Sequence, residues 1–199
     1  MSLLTFARLH MPLARPSILA LLLLAVSVTG CANRPPHRTE ELQAAYTGPY
    51  RLDSGDQVRL TVFGQDDLTR VYPVDVGGGI TMPLIGGVPA RGRTTDDLAR
   101  DVAVRLSRNY VRNPDVSVEV QTYRPFFVLG EVQRAGQFPY VSGMTAQTAI
   151  AIAGGYTYRA DRRGVTITRQ LGDRMIRGYA PLETPIMPGD TINVDERLF

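Results

Sequence analysis

The chain has 199 residues, with 22 basic and 19 acidic side chains, two histidines, one cysteine and no tryptophan. A lone thiol excludes an intramolecular disulfide. His10 and His37 both lie ahead of the region expected to fold, which excludes histidine triads, thiol nucleophiles and ordinary zinc sites there.

Residues 1–30 carry Arg8 and Arg15, no acidic residue, and an apolar run from Ile18 to Val28. That run is too short for a membrane span, which takes roughly 20 residues, and has the length of a signal-peptide core. Val28-Thr29-Gly30-Cys31 then sets small residues before the single cysteine. This arrangement resembles the lipobox of bacterial lipoproteins and implies cleavage before Cys31, whose thiol takes the lipid. An ordinary signal peptide with an incidental cysteine is the alternative. Ala32, where an aspartate is absent, resembles lipoproteins sent to the outer membrane. Loss of Arg8 and Arg15 lowers the formal charge from +3 to +1, so the mature chain is nearly neutral.

Residues 31–46, with Pro35-Pro36, read as a tether containing a short helix at Thr39–Ala45. Asp53-Ser54-Gly55-Asp56 then forms a turn. The strand after it alternates strictly, with Val58, Leu60 and Val62 on one face and Gln57, Arg59 and Thr61 on the other. Strands are expected at Val71–Val76 and Ile80–Ile85 around a turn at Gly77–Gly79. Thr94 is a helix N-cap with Asp96 and Asp97 in the first turn. Leu98, Val102, Leu106 and Tyr110 recur every four residues and form one apolar face. Val116, Val118 and Val120 alternate as a strand, and the first folded unit spans 47–122.

The second unit, 123–199, opens with a hairpin of Phe126–Glu131 and Gln137–Val141. Thr145 caps a short helix, Ala146–Ala153, which Gly154-Gly155 stops. Strands follow at Val165–Arg169, Met175–Tyr179 and Thr191–Val194, the last introduced by Pro188-Gly189-Asp190. The run Gly189-Asp190-Thr191-Ile192-Asn193-Val194 echoes Gly55-Asp56-Gln57-Val58-Arg59-Leu60, the same turn-into-strand device used twice. The fold class is α+β: a small mixed β domain with one packed helix, followed by a β-grasp domain.

Tyr50, Leu52, Gly55, Asp56, Val62, Phe63, Asp75, Gly79, Pro83, Ile85 and Gly86 follow a pattern that resembles the polysaccharide-export domain of outer-membrane export proteins. Gly130-Glu131-Val132, Gly136, Thr145, Ala153-Gly154-Gly155 and Pro188-Gly189-Asp190 resemble the β-grasp (SLBB) module that follows it; Ala135 stands where that family more often has proline. The resemblance implies a lipid-anchored component of an exopolysaccharide or capsule export channel in the outer membrane, facing the periplasm. Family members form rings, often octameric, that conduct polysaccharide without hydrolysing it, together with an inner-membrane co-polymerase. Because the chain ends at Phe199, after a strand, the pore across the membrane is expected from a separate outer-membrane barrel protein. A monomeric lipoprotein binding a small ligand, or a purely structural envelope lipoprotein, are the other readings.

No cofactor or metal is expected. Asp53, Asp56, Asp66 and Asp67 supply the carboxylates of a two-carboxylate glycosidase, but turn and loop roles explain them better, so no enzyme is expected. The glycines at 77–79 and 86–87 are turn glycines, not a phosphate loop. Between Arg159 and Arg177, six arginines (159, 162, 163, 169, 174 and 177) face Asp161 and Asp173. The bland reading is a solvated face; the sharper one makes Arg159, Arg162 and Arg163 contacts for an acidic polymer or partner. Nucleic acid is not expected.

Overall fold

A computed structural model describes residues 39–198. Two hydrophobic cores organise them, one under each half of the chain.

The first lobe begins with β1 (Gln57–Val62), where Val58, Leu60 and Val62 are buried as the alternation requires. β1 is the centre of a three-stranded antiparallel sheet, between β2 (Arg70–Pro73) and β5 (Val116–Thr122). β3 (Gly79–Met82) and β4 (Gly86–Pro89) form a separate antiparallel hairpin. The single strand expected over Ile80–Ile85 is therefore broken: the chain turns at Pro83–Ile85, with Leu84 at φ 70°. β4 was not legible, because Gly86-Gly87 gives no alternation to read.

α2 (Thr95–Asn109) lies against β5. Thr94 Oγ1 accepts the Asp97 amide at 3.1 Å and Asp97 accepts the Thr94 amide at 3.2 Å, a reciprocal capping box. Those bonds hold the Asp97 carboxyl below its ordinary pKa. Leu98, Val102 and Leu106 are fully buried. Tyr110, expected on the same face, lies past the helix end and is half exposed.

The second lobe is a five-stranded sheet in the order β7-β6-β10-β8-β9. β6 (Phe126–Gly130) and β7 (Gly136–Phe138) form the opening hairpin. α3 (Ala146–Ile152), capped by Thr145, buries Ala146, Ala149 and Ile150. β8 (Val165–Leu171) and β9 (Arg174–Ala180) pair antiparallel, and β10 (Thr191–Val194) enters parallel to β6. First and last strands side by side, with a helix after the first hairpin, is the β-grasp arrangement. The molecule is thus α+β.

The tether expected over 31–46 is described only from Thr39, and there it is α1 (Thr39–Tyr46), packed on β9. Leu42 is completely buried in the second core. The described residues therefore begin on the second lobe, cross to the first over residues 47–51, and cross back at Tyr123-Arg124.

Candidate functional site

The two crossings lie side by side. The Tyr50 and Tyr123 rings meet edge to face at 5.0 Å, and Tyr123 meets Tyr140 of the second lobe at 5.4 Å. Asp56, fully buried, is the electrostatic centre of this seam. Its Oδ1 accepts the Arg124 amide at 2.8 Å; its Oδ2 accepts the Asp53 amide at 2.9 Å, the Tyr50 hydroxyl at 2.7 Å and Arg124 Nη1 at 3.2 Å. A buried carboxylate is tolerated only with such a donor set. Burial pushes the Tyr50 phenol well above its ordinary pKa, against the pull of Arg124, and burial also raises Tyr140. Both are neutral phenols at physiological pH. Tyr140 uses its hydroxyl to donate to the Ile186 carbonyl at 3.2 Å.

The echoed turns have the same bonding. Asp56 donates its amide to the Asp53 carbonyl at 3.1 Å, and Asp190 to that of Met187 at 3.1 Å. Met187 N–H returns to Asp190 Oδ2 at 2.7 Å, as Asp53 N–H does to Asp56. Gly55 and Gly189 sit at φ 94° and 86°, where a side chain strains the backbone. A Cβ on Gly189 falls 2.8 Å from Arg124 Nε, so this glycine also makes room for the arginine.

Asp190 has its own arginine. Arg169 donates Nε and Nη2 to the Asp190 carboxylate at 2.9 and 2.7 Å, with both side chains at most 2% exposed. Its remaining donors reach the Leu42 and Pro185 carbonyls, so one guanidinium ties α1, β8 and the turn before β10 together. The sequence grouped Arg169 with the surface arginines. It belongs to the core, and the signal was present: Val165, Ile167 and Arg169 share the buried face of β8 at period two.

Arg159, Arg162 and Arg163 are brought together in the loop after α3. Arg162 and Arg163, but not Arg159, line a depression of about 450 Å³ with Tyr158, Asp161 and Arg197. Arg159 pairs with Glu196, donating Nε at 2.8 Å; Arg163 forks onto Asp161 at 2.8 and 2.7 Å. Those hydrogen bonds raise both guanidinium pKa values. Arg162 lies over the Tyr156 ring at 5.5 Å. Arg174 and Arg177 are exposed on β9 instead. Cys31 lies outside the described residues.

No group of three or more His, Cys, Asp or Glu suited to a metal occurs among the described residues. Asp53 and Asp56 are used up by the turn and Arg124; Asp66 and Asp67 sit in a short 3-10 turn, Asp66–Leu68. No helix among the described residues is long and apolar enough to cross a membrane.

Comparison with known families matches residues 44–121 to the polysaccharide biosynthesis/export protein family and 125–178 to the SLBB domain. The chain thus carries a polysaccharide biosynthesis/export domain followed by one SLBB domain. The first match covers α1's end through β5, and the second begins at the seam. Among relatives of this export family, the exopolysaccharide production protein ExoF of Rhizobium meliloti (strain 1021) is 34% identical over 110 residues, covering 54% of this chain and 24% of ExoF. The EPS I polysaccharide export outer membrane protein EpsA of Ralstonia solanacearum is 27% identical over 183 residues, covering 75% of this chain and 48% of EpsA. The chain thus spans about a quarter and about half the length of these two relatives.

Proposed function

We propose that this protein is a periplasm-facing, outer-membrane lipoprotein of an exopolysaccharide or capsule export apparatus. The observation that carries the reading is the order of parts: an export-type lobe locked through Asp56 and Arg124 to a β-grasp lobe, both with family matches. The name of EpsA, an outer membrane export protein, supports the compartment. Cys31 supplies the lipid anchor, and several acyl chains, at about 0.8 kcal/mol per buried CH₂, hold it there durably.

In this reading the protein is a transport component and not an enzyme. Copies assemble into a ring whose walls conduct polysaccharide delivered by an inner-membrane co-polymerase. The hydrogen-bonded seam suits that role, because a ring closes when every subunit repeats the same rotation onto its neighbour. The loop bearing Arg159, Arg162 and Arg163 offers a basic contact for polymer or partner. A monomeric lipoprotein that binds a small ligand through its β-grasp lobe is the competing reading. Native mass of the detergent-extracted protein separates the two: a discrete closed oligomer is expected, and a stable monomer at all concentrations overturns the ring.

A further inference from the structure

We propose that the seam between the lobes contains a saccharide subsite built from four tyrosines. Tyr46, Tyr50, Tyr123 and Tyr140 line a half-open chamber of about 260 Å³ together with Gly48, Ser142, Met187 and Pro188. They come from α1, both crossings and the loop after β7, so only the folded two-lobe chain assembles them. The rings are in two states. Tyr50 and Tyr140 are fixed, their hydroxyls committed to Asp56 and the Ile186 carbonyl. The hydroxyls of Tyr46 and Tyr123 have no hydrogen-bond partner among the described residues, although Tyr123 is held by ring contacts on both sides.

This combination fits a sugar ring. A pyranose offers axial C–H groups to an aromatic surface and hydroxyls around its rim. Rigid tyrosines present apolar faces at low entropic cost, and free phenols satisfy the rim. The chamber is smaller than the roughly 300–1,000 Å³ of drug-sized pockets, so it holds one residue and not a chain. It continues, through shared Gly48 and Met187, into a cleft of about 650 Å³ lined by Arg51, Asp53, Arg91, Arg124, Gln170 and Asp173. Neighbouring sugar units extend along that polar cleft. The subsite rests on the export reading for the source of its ligand.

The test uses the full chain in detergent and, as probe, short oligosaccharides from partial hydrolysis of the host's own extracellular polysaccharide. Saturation-transfer NMR is expected to show contact with sugar C–H protons. Tyr46→Ala and Tyr123→Leu are each expected to weaken binding about fivefold, while Tyr46→Phe retains ring contact and weakens it less. Arg108→Gln, on the exposed side of α2, leaves binding unchanged. Tyr46 is already exposed, so its variants test the idea even if Tyr123→Leu loses stability. Absence of transfer with wild-type protein, or full binding by both tyrosine variants, overturns the subsite. Either result leaves the export reading standing if a deletion strain still fails to secrete polymer; normal secretion by that strain removes the export reading instead.

Discussion

Replacing Arg169 by methionine is expected to be the most damaging single change in the second lobe. The side chain is 2% exposed and Asp190 1% exposed, so its loss strands a buried carboxylate. Breaking such a pair costs about 3–5 kcal/mol, against a typical total stability of about 5–15 kcal/mol. In many proteins the penalty disappears when both partners become apolar. Here Arg169→Met with Asp190→Leu removes the side-chain partners of the Met187 amide and the Pro185 carbonyl. Each unpaired buried group costs about 1–3 kcal/mol, so the double variant stays well below wild type. Urea unfolding followed by circular dichroism measures this, and hydrogen exchange shows whether α1 loosens first. A single-variant loss under about 1 kcal/mol, or full recovery in the double variant, refutes the assignment of Arg169 as the clamp.

Three further outcomes follow from the same structure. Burial raises the folded-state pKa of Tyr50, so its contribution is complete below the unfolded value of 10.0 and is lost as pH rises through the folded value. Thermal unfolding from pH 8 to 11 is expected to fall less steeply for Tyr50→Phe than for wild type; equal slopes count against a buried phenol. Cys31→Ser is expected to block lipidation and release the protein from the outer-membrane fraction, and unchanged mass and fractionation would exclude anchoring there. Reversing Arg159, Arg162 and Arg163 to glutamate is expected to reduce polymer export while stability changes little, since surface changes usually cost within about 0.5 kcal/mol each. Because Arg163 forks onto Asp161, which is only 4% exposed, the stability measurement accompanies the export assay; wild-type export returns this loop to a solvated surface.

The sequence carried the fold where one physical signal dominated. β1 was legible because its apolar side chains alternate, and α2 because Thr94 and Asp97 announce its start. The β-grasp order was legible because turn glycines separate its strands. β4 was hidden, since two of its four residues are glycines. α1 was hidden as a core element because one leucine, Leu42, carries its burial and eight residues give little periodicity. The site was less legible for a different reason. Tyr46, Tyr50, Tyr123 and Tyr140 come together only when two chain crossings lie side by side, and no local pattern encodes that. Asp56 and Asp190 were rightly read as turn residues, but the arginines that hold them, Arg124 and Arg169, are 68 and 21 residues distant.

The most direct test of the central claim is deletion of the protein in its native host, with labelled polymer measured inside and outside the cell. The account predicts loss of extracellular polymer, retention of polymer on the cell side, and restoration by the wild-type chain. Normal extracellular polymer in the deletion strain would contradict it.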